Sequence, residues 1–190
     1  MNREGWSREA YEAWVSSKGT PQQHALELKL DPWKKLAPYR AYLGEVAGKR
    51  IANLLGSNGR VAVSLALLGA DVTVVDISPE NARYALDTAQ AAGVSIRYVV
   101  SDVMQIPEAE RPTGCDIVLM ELGILHWIMD IERFFRLVFE MLRDGGKVII
   151  RDFHPVKRGL LRWVFPPDSP AGIENRMPAL YTLVAERMVK

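Results

Sequence analysis

The chain has 190 residues, 48% of them apolar and 25% charged, with a formal net charge of +1. That length gives one domain with a substantial core, and the near-neutral charge gives no bias toward nucleic acid or a membrane surface. A single cysteine, Cys115, excludes an internal disulfide framework and fits a reducing compartment; the charged opening MNREGWSREA lacks a signal-peptide core, no apolar run suits a membrane helix, and the expected location is the cytoplasm.

Residues 1–48 read as a helical extension. Ser7 can cap a helix that runs to Lys18 and stops at Gly19, with Ala10, Tyr11, Trp14 and Val15 at helical spacing. Thr20-Pro21-Gln22-Gln23 combines a cap, a proline at the first helical position and a glutamine able to close a capping box. A third helix is expected over residues 32–43. On these helices His24 is expected at the surface, and Tyr11 and Trp14 are expected to pack between helices rather than to cover a substrate.

Strand–helix alternation starts at residue 49 and defines a core over 49–155. The stretch KRIANLLGSNGRVAVSLALLGADVTVVDISPE (49–80) reads as strand 51–55, the turn Gly56-Ser57-Asn58-Gly59, helix 61–68 stopped by Gly69, and strand 72–75 closed by Asp76. Such a turn aims backbone N–H groups at a ligand from a helix N-terminus. Asp76 follows Gly56 at about the 20-residue spacing at which an acid reaches a nucleotide ribose. An adenosine-type cofactor is therefore expected.

Ser78-Pro79-Glu80 starts a helix ending near Gly93. A third strand over 95–100 precedes Ser101-Asp102, and a fourth over 116–120 precedes Glu121. Asp130 caps a helix through Leu142, and Gly145 and Gly146 terminate it. A fifth strand over 147–151 leads to Asp152-Phe153-His154-Pro155, and residues 181–189 read as one more strand. The pattern implies an α/β fold: a Rossmann-like, doubly wound, mostly parallel sheet with the helical extension at its N-terminus. Ligands of such sheets bind beyond the carboxyl ends of the strands, where Asp76, Asp102, Glu121 and Asp152 recur.

The order of glycine turn, acid after strand two, Ser101-Asp102 after strand three and Glu121 after strand four resembles the class I S-adenosylmethionine-dependent methyltransferases, as does the run 142–150, LRDGGKVII. The segment 121–127, ELGILHW, is similar to that of small-molecule methyltransferases. The resemblance implies S-adenosylmethionine as cofactor, S-adenosylhomocysteine as product, and in-line methyl transfer to a small-molecule acceptor. It implies that Gly56, Ser57, Asn58 and Gly59 run beneath the methionine part. Asp76 would take the ribose hydroxyls and Ile77 the adenine face. Ser101, Asp102 and Val103 would meet the adenine, and Glu121 and Leu122 the methionine end. His126, His154 and Glu121 are the candidate bases, should the nucleophile arrive protonated.

The sequence departs from the family at two places. Asn53, Leu55 and Ser57 stand where the family prefers Asp, Gly and Gly. The 156–190 segment is short for the helix and two strands the family has there. The chain is then either a trimmed variant or lacks residues between about Val156 and Pro170, the latter being preferred. Cys115 lacks a flanking cation and is not read as a nucleophile, and Lys157, Arg158 and Arg162 read as a solvated basic patch. No metal site is expected, nucleic acid is an unlikely partner, and the oligomeric state is left open. The rivals are a non-catalytic methyltransferase-like binding module and a nicotinamide-dependent oxidoreductase, whose Gly-x-Gly-x-x-Gly fingerprint this turn does not supply.

Overall fold

A computed structural model describes residues 9–153 and 180–188. Ser7, His154, the basic residues 157, 158 and 162, and the whole 156–170 stretch lie outside them. Side chains of His126, Phe153, Leu180 and Tyr181 are likewise outside the description.

The N-terminal helices are α1 (Ala10–Lys18), α2 (Pro21–Leu30), α3 (Pro32–Leu36) and α4 (Arg40–Leu43). Thr20 and Gln23 close the expected capping box: Gln23 N donates to Thr20 Oγ1 at 3.3 Å, and Thr20 N to Gln23 Oε1 at 2.9 Å. The single helix expected over 32–43 is instead broken into α3, a 3₁₀ turn Ala37–Tyr39, and α4. Pro38 lies in the break; it lacks the N–H an α-helix needs and its ring crowds the preceding turn.

The sheet contains β1 (Arg50–Leu54), β2 (Asp71–Asp76), β3 (Arg97–Val100), β4 (Cys115–Glu121), β5 (Leu142–Phe153) and β6 (Leu180–Glu186), in spatial order β3-β2-β1-β4-β5-β6. The first five strands run parallel, and β6 closes the edge antiparallel to β5. The crossovers carry α5 (Arg60–Leu67), α6 (Pro79–Ala92) and α7 (Ile131–Met141). The fold is thus the Rossmann-like, mostly parallel sheet expected, with a helical N-terminal extension.

Both sheet faces are buried, and the strands alternate between them with period two. Ile51, Val74, Ile117, Leu119 and Ile149 face one core, which α5 and the 36–46 segment cover with Val61, Leu65, Leu36, Tyr39 and Leu43. Ala52, Leu54, Val118, Met120 and Ile150 face the other, covered by Phe134, Val138 and Met141 of α7. A third apolar contact joins α2 to α5 and α6 through Ala25, Leu28, Val63, Ala89 and Ala92.

The fifth strand is longer than expected. The helix ends at Met141, and β5 runs straight through Gly145 and Gly146. Cys115 pairs with Leu142 but Ile117 with Lys147, so the glycines fall in an irregularity of the ladder, not a turn before it. A Cβ on Gly146 would meet the Cys115 carbonyl oxygen at 2.7 Å, which explains why only glycine fits. Among the described residues, no helix is long and apolar enough to cross a membrane.

Candidate cofactor-binding site

The turn after β1 is held open by left-handed backbone. Leu55 (φ 50°), Ser57 (φ 49°) and Gly59 (φ 73°) all have positive φ. For Leu55 and Ser57 that conformation costs about 1–2 kcal/mol each, and such strain concentrates where a backbone must present itself to a ligand. The two glycines are there for space. A Cβ on Gly56 would lie 2.6 Å from Asn53 Oδ1 and 2.7 Å from Val74, and one on Gly59 would lie 2.5 Å from Ala85 of α6. Tyr98 ties the turn to β3, donating its hydroxyl to the Ser57 carbonyl at 2.7 Å.

Asp76 ends β2 beside this turn. Its Oδ1 accepts from Ser78 N at 3.0 Å and Asn81 Nδ2 at 3.2 Å, and its Oδ2 accepts from Ser57 N at 3.1 Å. Burial pushes its carboxyl above the usual carboxylate range, while these neutral donors pull the other way. Ser78 also caps α6 by accepting from Asn81 N, which aims the Asn81 amide back at the strand end. Trp14 donates its indole N–H to Asn81 Oδ1 at 2.8 Å and fixes which way that amide points. Tyr11 anchors the same helix, bonding Asp87 at 2.8 Å and lying under the Arg83 guanidinium. Tyr11 and Trp14 therefore pack α1 against α6 as expected, and Trp14 also lines the cleft.

Glu121 ends β4 on the other side of β1. Its Oε1 accepts from Arg60 Nε at 3.0 Å, with Arg60 Nη2 also at 3.0 Å, and its Oε2 accepts from the Tyr39 hydroxyl at 2.9 Å. The chain then turns at Leu122 (φ 52°), whose N–H donates to the Arg151 carbonyl. Asp152, almost fully buried, accepts from the N–H groups of Gly123, Ile124 and Leu125. It thereby sets the path of the segment carrying His126 and Trp127, which forms a 3₁₀ turn Leu125–Trp127. Among the strand-end acids, Asp152 thus shapes the wall of the cleft.

One cleft joins these parts. It brings together Ser57, Asn58, Asp76, Ile77, Ser101, Val103, Glu121 and Leu122 of the residues expected from sequence. Gly56 and Gly59 shape the turn beneath it. Asp102 does not line it; its Oδ1 accepts from Met104 N at 2.9 Å and caps the turn after β3. Asn53, fully buried, donates to the Leu119 carbonyl at 3.2 Å. Its Oδ1 has no hydrogen-bond partner among the described residues. His126 is described by its backbone alone, and His154 lies outside the described residues. Cys115 is buried in the sheet, which pushes its thiol up to about 11 and leaves it protonated and inert.

The cleft also holds residues that sequence reasoning missed: Leu55, Arg60, Asn81, Ile124 and Trp127. Asn81 had a signal, since a residue three after the Ser78 cap faces the preceding strand end. Arg60 had a weaker one, as the first helical residue after the turn. Tyr39 had none. Against expectation, His24 is 1% exposed: its Nδ1 lies 3.3 Å from the Tyr84 hydroxyl, packed between α2 and α6.

The chain is similar to known proteins. The family model described as "Methyltransferase domain" matches residues 54–150, half of the chain. The ubiquinone biosynthesis O-methyltransferase of Xanthomonas euvesicatoria pv. vesicatoria is 31% identical over 106 residues, covering 56% of this chain and 44% of that protein. The demethylmenaquinone methyltransferase of Thermus thermophilus is 28% identical over 124 residues, covering 64% and 54% respectively. Among solved structures, an S-adenosylmethionine-dependent methyltransferase from Mesorhizobium loti superposes with a TM-score of 0.55 at 28% identity, covering 64% of this chain and 54% of that one. The chain spans about half the length of the curated relatives it matches. With the family model matching half of the chain, the chain belongs to the class I S-adenosylmethionine-dependent methyltransferase family.

Proposed function

We propose that this chain is a cytoplasmic methyltransferase that binds S-adenosylmethionine and passes its methyl group in line to a small-molecule acceptor. The observation that carries the reading is Asp76: a half-buried carboxylate at the end of β2, hydrogen-bonded by neutral donors, beside a left-handed turn. A carboxylate so held keeps acceptor capacity for two hydroxyls of a ribose. The donor set fits the rest of the cofactor too. Val75, Ile77 and Val103 offer an apolar slot for a purine, and Arg60 with Glu121 offers charge at the far end.

The cofactor supplies an activated methyl group on a neutral leaving group; the protein's part is alignment and exclusion of water. Trp14 and Trp127 give the cleft two indole walls suited to a planar acceptor. The names of two relatives, one for ubiquinone biosynthesis and one for demethylmenaquinone, make small aromatic or quinone-type acceptors the first class to test. Glu121 is better read as a binding group than as a base, because both of its oxygens already accept bonds. His126, on the turn between Ile124 and Trp127, and His154 are the bases to examine by substitution.

Isothermal titration with S-adenosylmethionine, S-adenosylhomocysteine and NAD tests the reading. Binding of both sulfur compounds, with methyl release in the presence of an acceptor panel, is the expected result. Binding of NAD alone would overturn it. Asn53, Leu55 and Ser57 at positions the family gives to Asp, Gly and Gly favour a second reading, a non-catalytic binding module. Tight binding with no turnover on any acceptor would support that one.

A further inference from the structure

One wall of the cleft comes from a helix that the rest of the molecule holds lightly. Trp14 of α1 lines the cleft, yet none of the nine residues of α1 is buried. Helix α2, next in the chain, differs: His24, Ala25 and Leu28 are buried where it meets α5 and α6. A helix of nine residues is marginal in water by itself. Helix α1 therefore owes its order to its neighbours, which are α6 and the start of α2.

Its contacts with α6 form two groups. Away from the cleft, the Tyr11 hydroxyl donates to Asp87 at 2.8 Å, and the Tyr11 ring lies under the Arg83 guanidinium and edge-on to Tyr84. At the cleft, Trp14 Nε1 donates to Asn81 Oδ1 at 2.8 Å, and Asn81 Nδ2 donates to Asp76 Oδ1 at 3.2 Å. The chain leaves α1 through Gly19 (φ 84°, ψ −177°), a conformation open essentially to glycine alone. The Gly19 carbonyl accepts from the buried Tyr84 hydroxyl at 2.9 Å. The hinge is thus pinned on its α2 side, and α1 can swing about it without disturbing the core.

We propose that α1 is a strap whose docking on α6 is coupled to occupancy of the cleft, with Trp14 as a positioning residue that acts through Asn81 on Asp76. The proposal rests on the methyltransferase reading above and goes beyond it by making the N-terminal extension part of ligand recognition. The relay has a fixed sense. The indole N–H can only donate, so it holds Asn81 Oδ1 and turns Nδ2 toward Asp76. A ribose held by Asp76 steadies that carboxylate, and with it the Asn81 amide and the seat of Trp14. The coupling is reciprocal: the factor by which docked α1 raises ligand affinity is the factor by which the ligand favours docking.

The test combines hydrogen exchange and isothermal titration of the full chain. Saturating S-adenosylhomocysteine should slow exchange of the amides of residues 13–18 by about fivefold or more, a comparison that needs no variant. 5′-Methylthioadenosine, which keeps the adenosine and lacks the amino-acid arm, should slow them too, because it brings the same ribose to Asp76. Tyr11 is not among the described residues lining the cleft, so Tyr11→Ala loosens α1 from outside; it should weaken S-adenosylhomocysteine by about fivefold. Trp14→Phe keeps a ring in the wall and deletes the donor. It should weaken binding by about two- to threefold, and should cost nothing further once Asn81→Ala is present, because the two act in series. Exchange in α1 that either bound ligand leaves unslowed would overturn the strap, as would a Tyr11→Ala protein that binds as tightly as the unaltered one. Losses from Trp14→Phe and Asn81→Ala that multiply independently would overturn the relay. Failure of the unaltered protein to bind either ligand would instead overturn the methyltransferase reading.

Discussion

The two ends of the cleft each hold a carboxylate, and they hold it in opposite ways. Asp76 is surrounded by neutral donors: two backbone N–H groups and the Asn81 amide. Glu121 is held by a guanidinium and a phenol. The first arrangement sets no cation against a half-buried carboxylate, and desolvation raises the Asp76 pKa. It favours neutral hydroxyls, which add hydrogen bonds without bringing a charge. The second arrangement is already matched, so a ligand must replace charge with charge. Arg60 and Glu121 form a partly exposed ion pair while Asp76 is bonded by neutral donors, so salt screens the Glu121 end more. Raising ionic strength should therefore weaken S-adenosylhomocysteine more than 5′-methylthioadenosine.

The largest expected effect is at the neutral-donor end. Asp76→Ala removes the acceptors for both ribose hydroxyls and should lower affinity for S-adenosylhomocysteine and 5′-methylthioadenosine alike, by about 100-fold, or about 3 kcal/mol. Titration of both ligands checks it; a loss confined to S-adenosylhomocysteine would mean the two ends are assigned the wrong way round. Next is Gly59→Ala. Its Cβ would fall 2.5 Å from the Ala85 Cβ at a φ of 73°, so α6 must shift or the turn must rewind. The expected cost is about 2–3 kcal/mol of stability, read by denaturant unfolding. Because Ala85 and Asn81 share α6, the surviving protein should lose ribose affinity before it loses the charged end.

The same contrast explains what could be read from the chain. The Asp76 end lies within one βαβ unit. Its turn, its acid and its Ser78 cap follow each other at spacings fixed by strand and helix geometry, and the sequence displays them in order. The Glu121 end is assembled from afar: Arg60 is 61 residues from Glu121 and Tyr39 is 82. Neither separation carries a local signature, because only the sheet order brings those elements together. Burial of His24 is hidden for a related reason. Helix α2 also carries Leu26 and Leu30 on its exposed side, so its apolar residues do not mark one face, and it is the packing of α2 against α5 and α6 that covers the ring. Gly145 and Gly146 misled in the opposite direction: they look like a stop, yet Gly145 takes a left-handed φ of 70° and Gly146 closely approaches the Cys115 carbonyl within the strand.

His24 separates acid effects on the fold from acid effects on the cleft. Burial lowers its pKa below the ordinary 6.5, with Lys35, Lys18 and Arg60 adding to that direction and Glu27 opposing it. The unfolded chain therefore takes up a proton at a higher pH than the folded one. Stability contributed by the neutral ring is complete above 6.5 and is lost as pH falls through the folded value. His24→Gln should flatten that part of the stability profile in denaturant unfolding followed against pH. Ligand affinity at neutral pH should be unchanged, since the ring lies between α2 and α6 and not in the cleft.

The smallest expected effect is the most specific to the Asp76 end. Asp76 must be ionised to accept from both hydroxyls, so affinity should fall as pH drops through its folded pKa. Asn81→Ala removes one donor to Oδ1 and leaves burial nearly unchanged, so the carboxyl should rise further. The acid limb of S-adenosylhomocysteine binding then moves to higher pH, while affinity at neutral pH falls only about two- to fivefold. Trp14→Phe should move the limb the same way by less, because it frees the Asn81 amide to turn without deleting it. Arg60→Met should leave the limb where it is, since Arg60 makes no hydrogen bond to Asp76 among the described residues. Titration of the three variants against pH checks this: a limb that moves with Arg60 and not with Asn81 would place the titrating carboxylate at Glu121.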